Sequence, residues 1–378
     1  MRIPILIFSS VLLLSFAAQA QKKSLKAFHD QTHWNLQSSL KYDFLCLLNT
    51  LSGDPYYLKY YEQEYQELTA AVPLTPDVQA ALKRLKQVIK DENKGIVSAY
   101  LCLLYSASDA NTLAQMRSVT SDSEQLLATY RESPYYSEKS WSTFERLRPD
   151  LLVILDFFIA HNFEQYYEST YAPRVSEKIM EISKTLPSYN IIPTIEDHVG
   201  FPLDSDTITV YFLYFSQPQG IKIIGTRYLT DVHWPFEIVF RNAVHEMMHP
   251  PFHPSFKSVD DLVEELQQDS LWSHAFEHSS TSSGYNTYKG LFEEGAVQAL
   301  ENHLNHTFGM GRNVDDYWQK QDNGLHIMAI CLYVAMQDWD FSRRNHYTKF
   351  LRYFRKQVKK HGGLSYYYHQ MYPVHLNE

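Results

Sequence analysis

Pro235 at one end and Pro250-Pro251 at the other bracket a segment that can be helical for about four turns and no longer. Within it stands Val244-His245-Glu246-Met247-Met248-His249. On a helix, residues four apart share a face, so His245 and His249 aim two imidazoles at one point, with Glu246 on the adjoining edge. Phe236, Phe240, Ala243 and Met247 fall on another face and need a core. A helix of this kind demands apolar packing on one side and an open, polar space on the other. A chain that contains it therefore needs enough sequence to build both.

The 378 residues provide that. Lys and Arg number 34 against 43 Asp and Glu, a net charge of −9, and 44% of residues are hydrophobic. This is a globular composition, and its acidic balance excludes a nucleic-acid-coating protein, which needs a basic face. From about Ser24 to Lys184 the apolar spacing is helical almost throughout, as in Leu40, Phe44, Leu47 and Leu48, or Val78, Leu82 and Leu85. Turn signals at Gly53-Asp54-Pro55, Pro76 and Pro149 punctuate it, and Asp150 is expected to cap a run through Phe158. Beyond Pro187 the texture changes. Asn190 to Pro193, Thr207 to Phe215 and Ile221 to Leu229 have strand composition, with a turn at Gln217–Gly220. Helical patterns return at Pro235–His249, Val259–His278, Tyr288–His306, Asn323–Trp339 and Ser342–Lys360. The expected fold is mostly α with a small β-sheet, α+β in class. A helical domain spans 21–185 and a second domain spans 186–378.

Met1-Arg2, an apolar run to Ala17 and then Ala18-Gln19-Ala20 read as a secretory signal peptide over residues 1–20. The remainder has no apolar run of about 18 residues, so no membrane anchor is expected after cleavage. Export, to a periplasm or beyond the cell, follows. Cys46, Cys102 and Cys331 lie in apolar helical surroundings and read as buried free thiols, with a Cys46–Cys102 bridge as the alternative. Phe-Leu-Cys-Leu-Leu around Cys46 and Tyr-Leu-Cys-Leu-Leu around Cys102 are near copies.

A two-histidine metal site with an open position for water needs a third ligand from elsewhere. The segment Gly290-Leu291-Phe292-Glu293-Glu294-Gly295-Ala296-Val297-Gln298-Ala299-Leu300 can supply it on a second helix. Gly295, Ala296 and Ala299 there allow close approach. HExxH followed by such a Glu-Gly-x-x-x-x-Leu helix resembles the gluzincin group of zinc metallopeptidases, over about residues 205–306. The resemblance implies a zincin-like catalytic domain at 186–378. It implies Zn2+ held by His245, His249 and Glu294, Glu246 as general base, and a protein or peptide substrate. Glu293 and Glu301 compete with Glu294 for the third position. The oxyanion-stabilising donor that gluzincins often place on a later helix could be Tyr285, Tyr288, His326 or Tyr333. The metzincin pattern fails, because it requires glycine at position 252 and histidine at 255, where this chain has Phe252 and Ser255.

His274-Ala275-Phe276-Glu277-His278 spells the inverted motif HxxEH. Peptidases with that motif take a further Glu far downstream, and after Glu301 this chain has only the terminal Glu378. His274 and His278 are therefore expected on a solvated helix face or along the same cleft. His253 is expected in a loop, and His303 and His306 at the surface. The sequence leaves two other readings open. One is a non-catalytic exported binding or scaffold protein with a structural or vestigial zinc site. The other is zinc-dependent hydrolysis of a bond other than a peptide.

Overall fold

The computed structural model describes residues 27–249, 251–252, 257–278, 287–314, 317–320, 324–341 and 346–373. The expected signal peptide, Tyr285 and His253 lie outside these. The first element is a strand, β1 (His33–Ser38), which corrects the helical expectation for this stretch. Trp34 and Leu36 alternate with polar neighbours, and the short run pairs in parallel with β2 (Thr207–Leu213), His33 opposite Thr207 and Ser38 opposite Phe212. β2 in turn pairs in parallel with β4 (Arg227–Asp231), and β3 (Ile221–Ile223) closes the order β1-β2-β4-β3 as an antiparallel edge strand. The expected single strand from Ile221 to Leu229 is thus a hairpin. Gly225, at φ +77°, turns it, in a conformation that L side chains rarely adopt. The expected strand at Asn190–Pro193 is also corrected. Ile191 and Ile192 are buried, but Ile192 and Pro193 open a helix instead.

Ser39 ends β1 and caps α1 (Leu40–Leu51), its Oγ accepting from the Tyr42 N–H. The remaining helices of the first half are α2 (Pro55–Ala71), α3 (Pro76–Lys86, continued by a π-turn at Gln87–Glu92), α4 (Val97–Tyr105), α5 (Leu113–Ser121), α6 (Glu124–Arg131), α7 (Glu138–Ala160), α8 (Phe163–Thr170) and α9 (Ala172–Ile182). Asp54 caps α2 and Pro55 opens it, as the turn signal implied. Pro149 does not end a helix. It lies inside α7, and Asp150 accepts from Arg84 Nε at 2.8 Å rather than capping. α1 and α4 pack together, with Cys46 and Cys102 face to face as free thiols, their sulfurs 4.0 Å apart.

After α10 (Ile192–Val199) and the sheet come α11 (Phe236–Met247), α12 (Lys257–Leu266), α13 (Ser270–Glu277), α14 (Tyr288–Thr307), α15 (Tyr317–Lys320), α16 (Ile327–Gln337), α17 (Tyr347–His361) and α18 (Ser365–Met371). The expected helix Val259–His278 is broken, because Asp269 caps α13 through the Leu271 N–H and also accepts from the Leu364 N–H. No helix among the described residues is long and apolar enough to cross a membrane.

The sheet separates two cores. The period of two along β2 sends Ile208, Val210 and Phe212 into a core shared with α10, α11, α14, α16 and α17. Leu213 faces the other way, with Ile221, Ile223 and Leu229, into a core built on α1, α4 and α7. Two buried carboxylates hold the connection out of β2. Asp43 of α1 accepts from the Tyr214 N–H, the Phe215 N–H and Tyr167 Oη at 2.8, 2.8 and 2.6 Å. Asp231, at the end of β4, accepts from the Ser216 N–H, Tyr61 Oη and the His233 N–H at 3.1, 3.0 and 2.9 Å.

Burial pushes the Asp43 carboxyl up to about 7, against the three donated hydrogen bonds that pull it down. Below about 4 both folded and unfolded chains are protonated there. Above that the unfolded chain loses the proton while the folded chain keeps it. Stability therefore declines as pH rises from about 4 to about 7. In Asp43→Asn this part of the slope is lost, and an amide N–H is set against a backbone N–H, which costs about 1–3 kcal/mol. Denaturant unfolding of both proteins across that pH range checks this.

Candidate metal centre

α11 begins at Phe236, with Pro235 in the capping position and extended. Phe240, Ala243, Val244 and Met247 are buried in the core shared with α10, α14, α16 and α17, and Phe236 packs against it, so the face expected to need a core has one. The helix ends earlier than the motif suggested. Met248 caps it, its N–H donating to the His245 carbonyl at 3.1 Å, and His249 follows just beyond. The tightened last turn still brings the two imidazoles together, Nε2 to Nε2 at 3.2 Å.

Glu294, in the middle of α14, completes the group. Its Oε1 lies 3.7 Å from His245 Nε2 and its Oε2 3.6 Å from His249 Nε2. One ligand atom from each of the three residues lies within 4.8 Å of the others. Four ligands at about 2.0–2.1 Å in a tetrahedron stand about 3.3 Å apart, so these separations are those of donors around one small cation. The group could hold a metal ion. Glu294 is fixed from behind by Gln298 Nε2 at 2.8 Å.

Glu293 and Glu301, the competing carboxylates, take different places. Glu293 Oε1 is 3.3 Å from His249 Nδ1, and Glu301 Oε2 is 3.6 Å from His245 Nδ1. Each faces the back of one imidazole, Glu293 within hydrogen-bond reach and Glu301 in a longer contact, the positions from which a carboxylate supports a histidine ligand. Glu301 is itself held by Asn305 Nδ2 and Arg312 Nη2 at 2.8 and 3.2 Å.

The electrostatics match this arrangement. Burial works against a charge on His245, but Glu294, the contact to Glu301, and Glu246 outweigh it and push the imidazole up to about 9. Burial likewise opposes charge on Glu294, yet His245, His249 and the Gln298 hydrogen bond bring it down to about 2. The cavity is organised around positive charge.

Glu246 is buried beside the group. A β-carbon on Gly220 would stand 3.0 Å from its Oε1 and 3.1 Å from Asn242 Nδ2, a tight contact that glycine relieves where the backbone enters β3. Two clefts meet here, and Gln219, Gly220, His245, Glu246 and Glu294 line both. One, of about 460 Å³, runs beside Ile221 and Lys222 of the edge strand and is walled by Ile96, Ala99, Tyr100 and Tyr135 from the helical first half. The other, of about 620 Å³, runs beside Trp234, Ile238 and Arg241.

The remaining candidates fall elsewhere. His274 and His278 stack on each other, ring centroids 4.0 Å apart, on an exposed face of α13. His303 packs against Phe341 and His198, half-buried rather than at the surface, and His306 is exposed. Tyr288 packs on Phe276 and Trp272 and lines a separate pocket with Asp260 and Gln267. Tyr333 lies against Trp318. His326 is buried and near enough to Glu294 to help keep it ionised. Tyr135 was not singled out in the sequence. Its Oη donates to the His249 carbonyl at 3.4 Å, and burial holds its hydroxyl well above the usual range. One tyrosine among 28, in a turn 114 residues from His249, leaves no local signal.

No protein-family model matches the chain, and neither a curated protein nor a solved structure shows significant similarity to it.

The small residues after Glu294 serve a contact with α16. A β-carbon on Gly295 would meet Met328 Cβ at 2.8 Å and the Ala329 backbone nitrogen at 3.0 Å. Alanine gains about 1 kcal/mol of helix propensity, but packed backbone cannot yield cheaply, and overpacking costs about 1–3 kcal/mol. Gly295→Ala is therefore expected to lower stability by about 1 kcal/mol and to weaken metal binding at Glu294. Urea unfolding and a metal titration of the variant test both.

Proposed function

We propose that this protein is an exported zinc-dependent metallopeptidase. The observation that carries the reading is Glu246, a carboxylate with no place in a purely structural metal site, buried beside His245, His249 and Glu294 where two clefts meet. Two imidazoles and one carboxylate suit Zn2+ and leave a fourth position open. Bound there, zinc would supply a Lewis acid that lowers the pKa of water towards about 7 and polarises a carbonyl.

The chain's own residues do the rest. Glu246 takes the proton of the attacking water and returns it to the leaving amine. Glu293 and Glu301 hold the two imidazoles in the tautomer that presents Nε2 to the ion. β3 is the sheet's edge strand, and its side bordering the cleft can pair with an extended peptide backbone. The close approach of Gly220 to Glu246 keeps that backbone next to the reacting bond. A substrate lying through both clefts has its scissile bond at the metal-binding group.

The test is metal content and peptide hydrolysis, measured together. The full chain is expected to hold about one zinc and to cleave unstructured peptides. Glu246→Ala is expected to keep the zinc and lose about 100-fold or more in kcat. His245→Ala and Glu294→Ala are expected to lose the metal, whereas Glu301→Gln weakens its affinity about 10- to 100-fold. Unchanged hydrolysis in Glu246→Ala sinks the assignment. An inactive wild type whose fold melts on chelation would instead favour the non-catalytic reading with a structural metal.

A further inference from the structure

The larger cleft contains a second feature, and its interpretation rests on the peptidase reading. Ile238, Arg241 and Asn242 precede His245 by seven, four and three positions and line the cleft with it on one face of α11. Two arginines border this space, and they differ. Arg312 is engaged, with its Nη2 on Glu301 at 3.2 Å and its guanidinium 4.0 Å above the Tyr317 ring. Arg241 is half-buried and, among the described residues, makes no hydrogen bond or ion pair. Next to it the Asn242 Nδ2 is buried without a hydrogen-bond partner. The Arg241 guanidinium therefore borders the cleft with its N–H groups open to an acceptor that arrives with the ligand, and Asn242 stands beside it in the cleft wall.

The acceptor's chemistry follows from the surroundings. A guanidinium presents two parallel N–H groups that fit a carboxylate in bidentate fashion. Glu246, Glu294 and Glu301 also border the cleft, so a monoanion is accommodated more easily than a doubly charged phosphate. Arg241 stands one helical turn, about 5.4 Å, from His245, within about two residues of a bond held at the metal-binding group. We propose that Arg241 forms a subsite for a substrate carboxylate near the scissile bond. The preferred substrates are then peptides with a free C-terminus or an acidic side chain at that position.

The experiment uses zinc-loaded full chain and three matched peptides. One is neutral and amidated, one is neutral with a free C-terminus, and one carries an acidic residue and is amidated. One or both carboxylate peptides are expected to exceed the neutral amide by about 10- to 100-fold in kcat/KM, mainly through KM. Which of them does so identifies the source of the carboxylate. In Arg241→Gln the ratio collapses towards one, and in Arg241→Lys, which keeps the charge without the fork, it is intermediate. A ratio near one in the wild type, or one that survives in Arg241→Gln, overturns the subsite and leaves the peptidase reading standing. If the wild type cleaves none of the three, calorimetric binding of the same peptides to zinc-loaded Glu246→Gln protein decides. A carboxylate preference there that depends on Arg241 upholds the subsite while the peptidase reading fails, and its absence overturns the subsite.

Discussion

Two buried carboxylates, Asp43 and Asp231, govern how the halves of this chain meet. Where β2 ends, three successive backbone N–H groups, those of Tyr214, Phe215 and Ser216, leave the sheet and point into the interior. Buried amides need acceptors, and no strand is available to provide them. Asp43 reaches them from α1 and Asp231 from the end of β4, while Tyr61 and Tyr167 bring hydroxyls from α2 and α8. The turn from 214 to 217 is thereby bound to helices of the first half as firmly as to the sheet. Everything downstream inherits that position, including Gly220 against Glu246 and the edge strand beside the cleft.

The site has a comparable logic. Its affinity for positive charge is not made by the three central side chains alone. Glu293 and Glu301 set the imidazoles from behind, and Gln298, Asn305 and Arg312 hold the carboxylates in turn. α14 carries most of this network, and its small residues let it sit tightly on α16, so the network's geometry depends on helix packing away from the cleft. The first half contributes Tyr135 and the wall from Ile96 to Tyr100, so the cleft belongs to both halves.

The sequence makes some of this legible and hides the rest for definite reasons. The grouping of His245, His249 and Glu294 could be read because helical spacing fixes which residues share a face, and a third ligand must then come from another helix. β2 was legible from its β-branched alternation. β1 was not, since six residues inside a long helical texture carry too little pattern to outweigh their neighbours. Ile191 and Ile192 have strand composition, but Pro193 starts a helix and the core accepts it. The hairpin turn at Gly225 lies between apolar residues on either side, so the stretch reads as one strand. Pro149 looked like a boundary, yet packing along the 23-residue α7 outweighs the loss of one backbone hydrogen bond. The places of Glu293 and Glu301 behind the imidazoles, and the presence of Tyr135, depend on tertiary distances that no local pattern encodes.

β1 has a consequence for how the molecule comes into being. Its partner on β2 lies 174 positions further along the chain, as for Asn35 and Thr209. A chain that emerges from its N-terminus first makes this strand early and finds the complement only after ten α-helices have followed. Until then Trp34 and Leu36 have no apolar bed to lie on, and the helices of the first half have no sheet to close over. Pairings so distant in sequence slow folding, because chain entropy is lost before the contact rewards it. β1 is thus among the first elements made and the last to settle, and the final closure of the sheet waits on the segment that leads into the helix of His245.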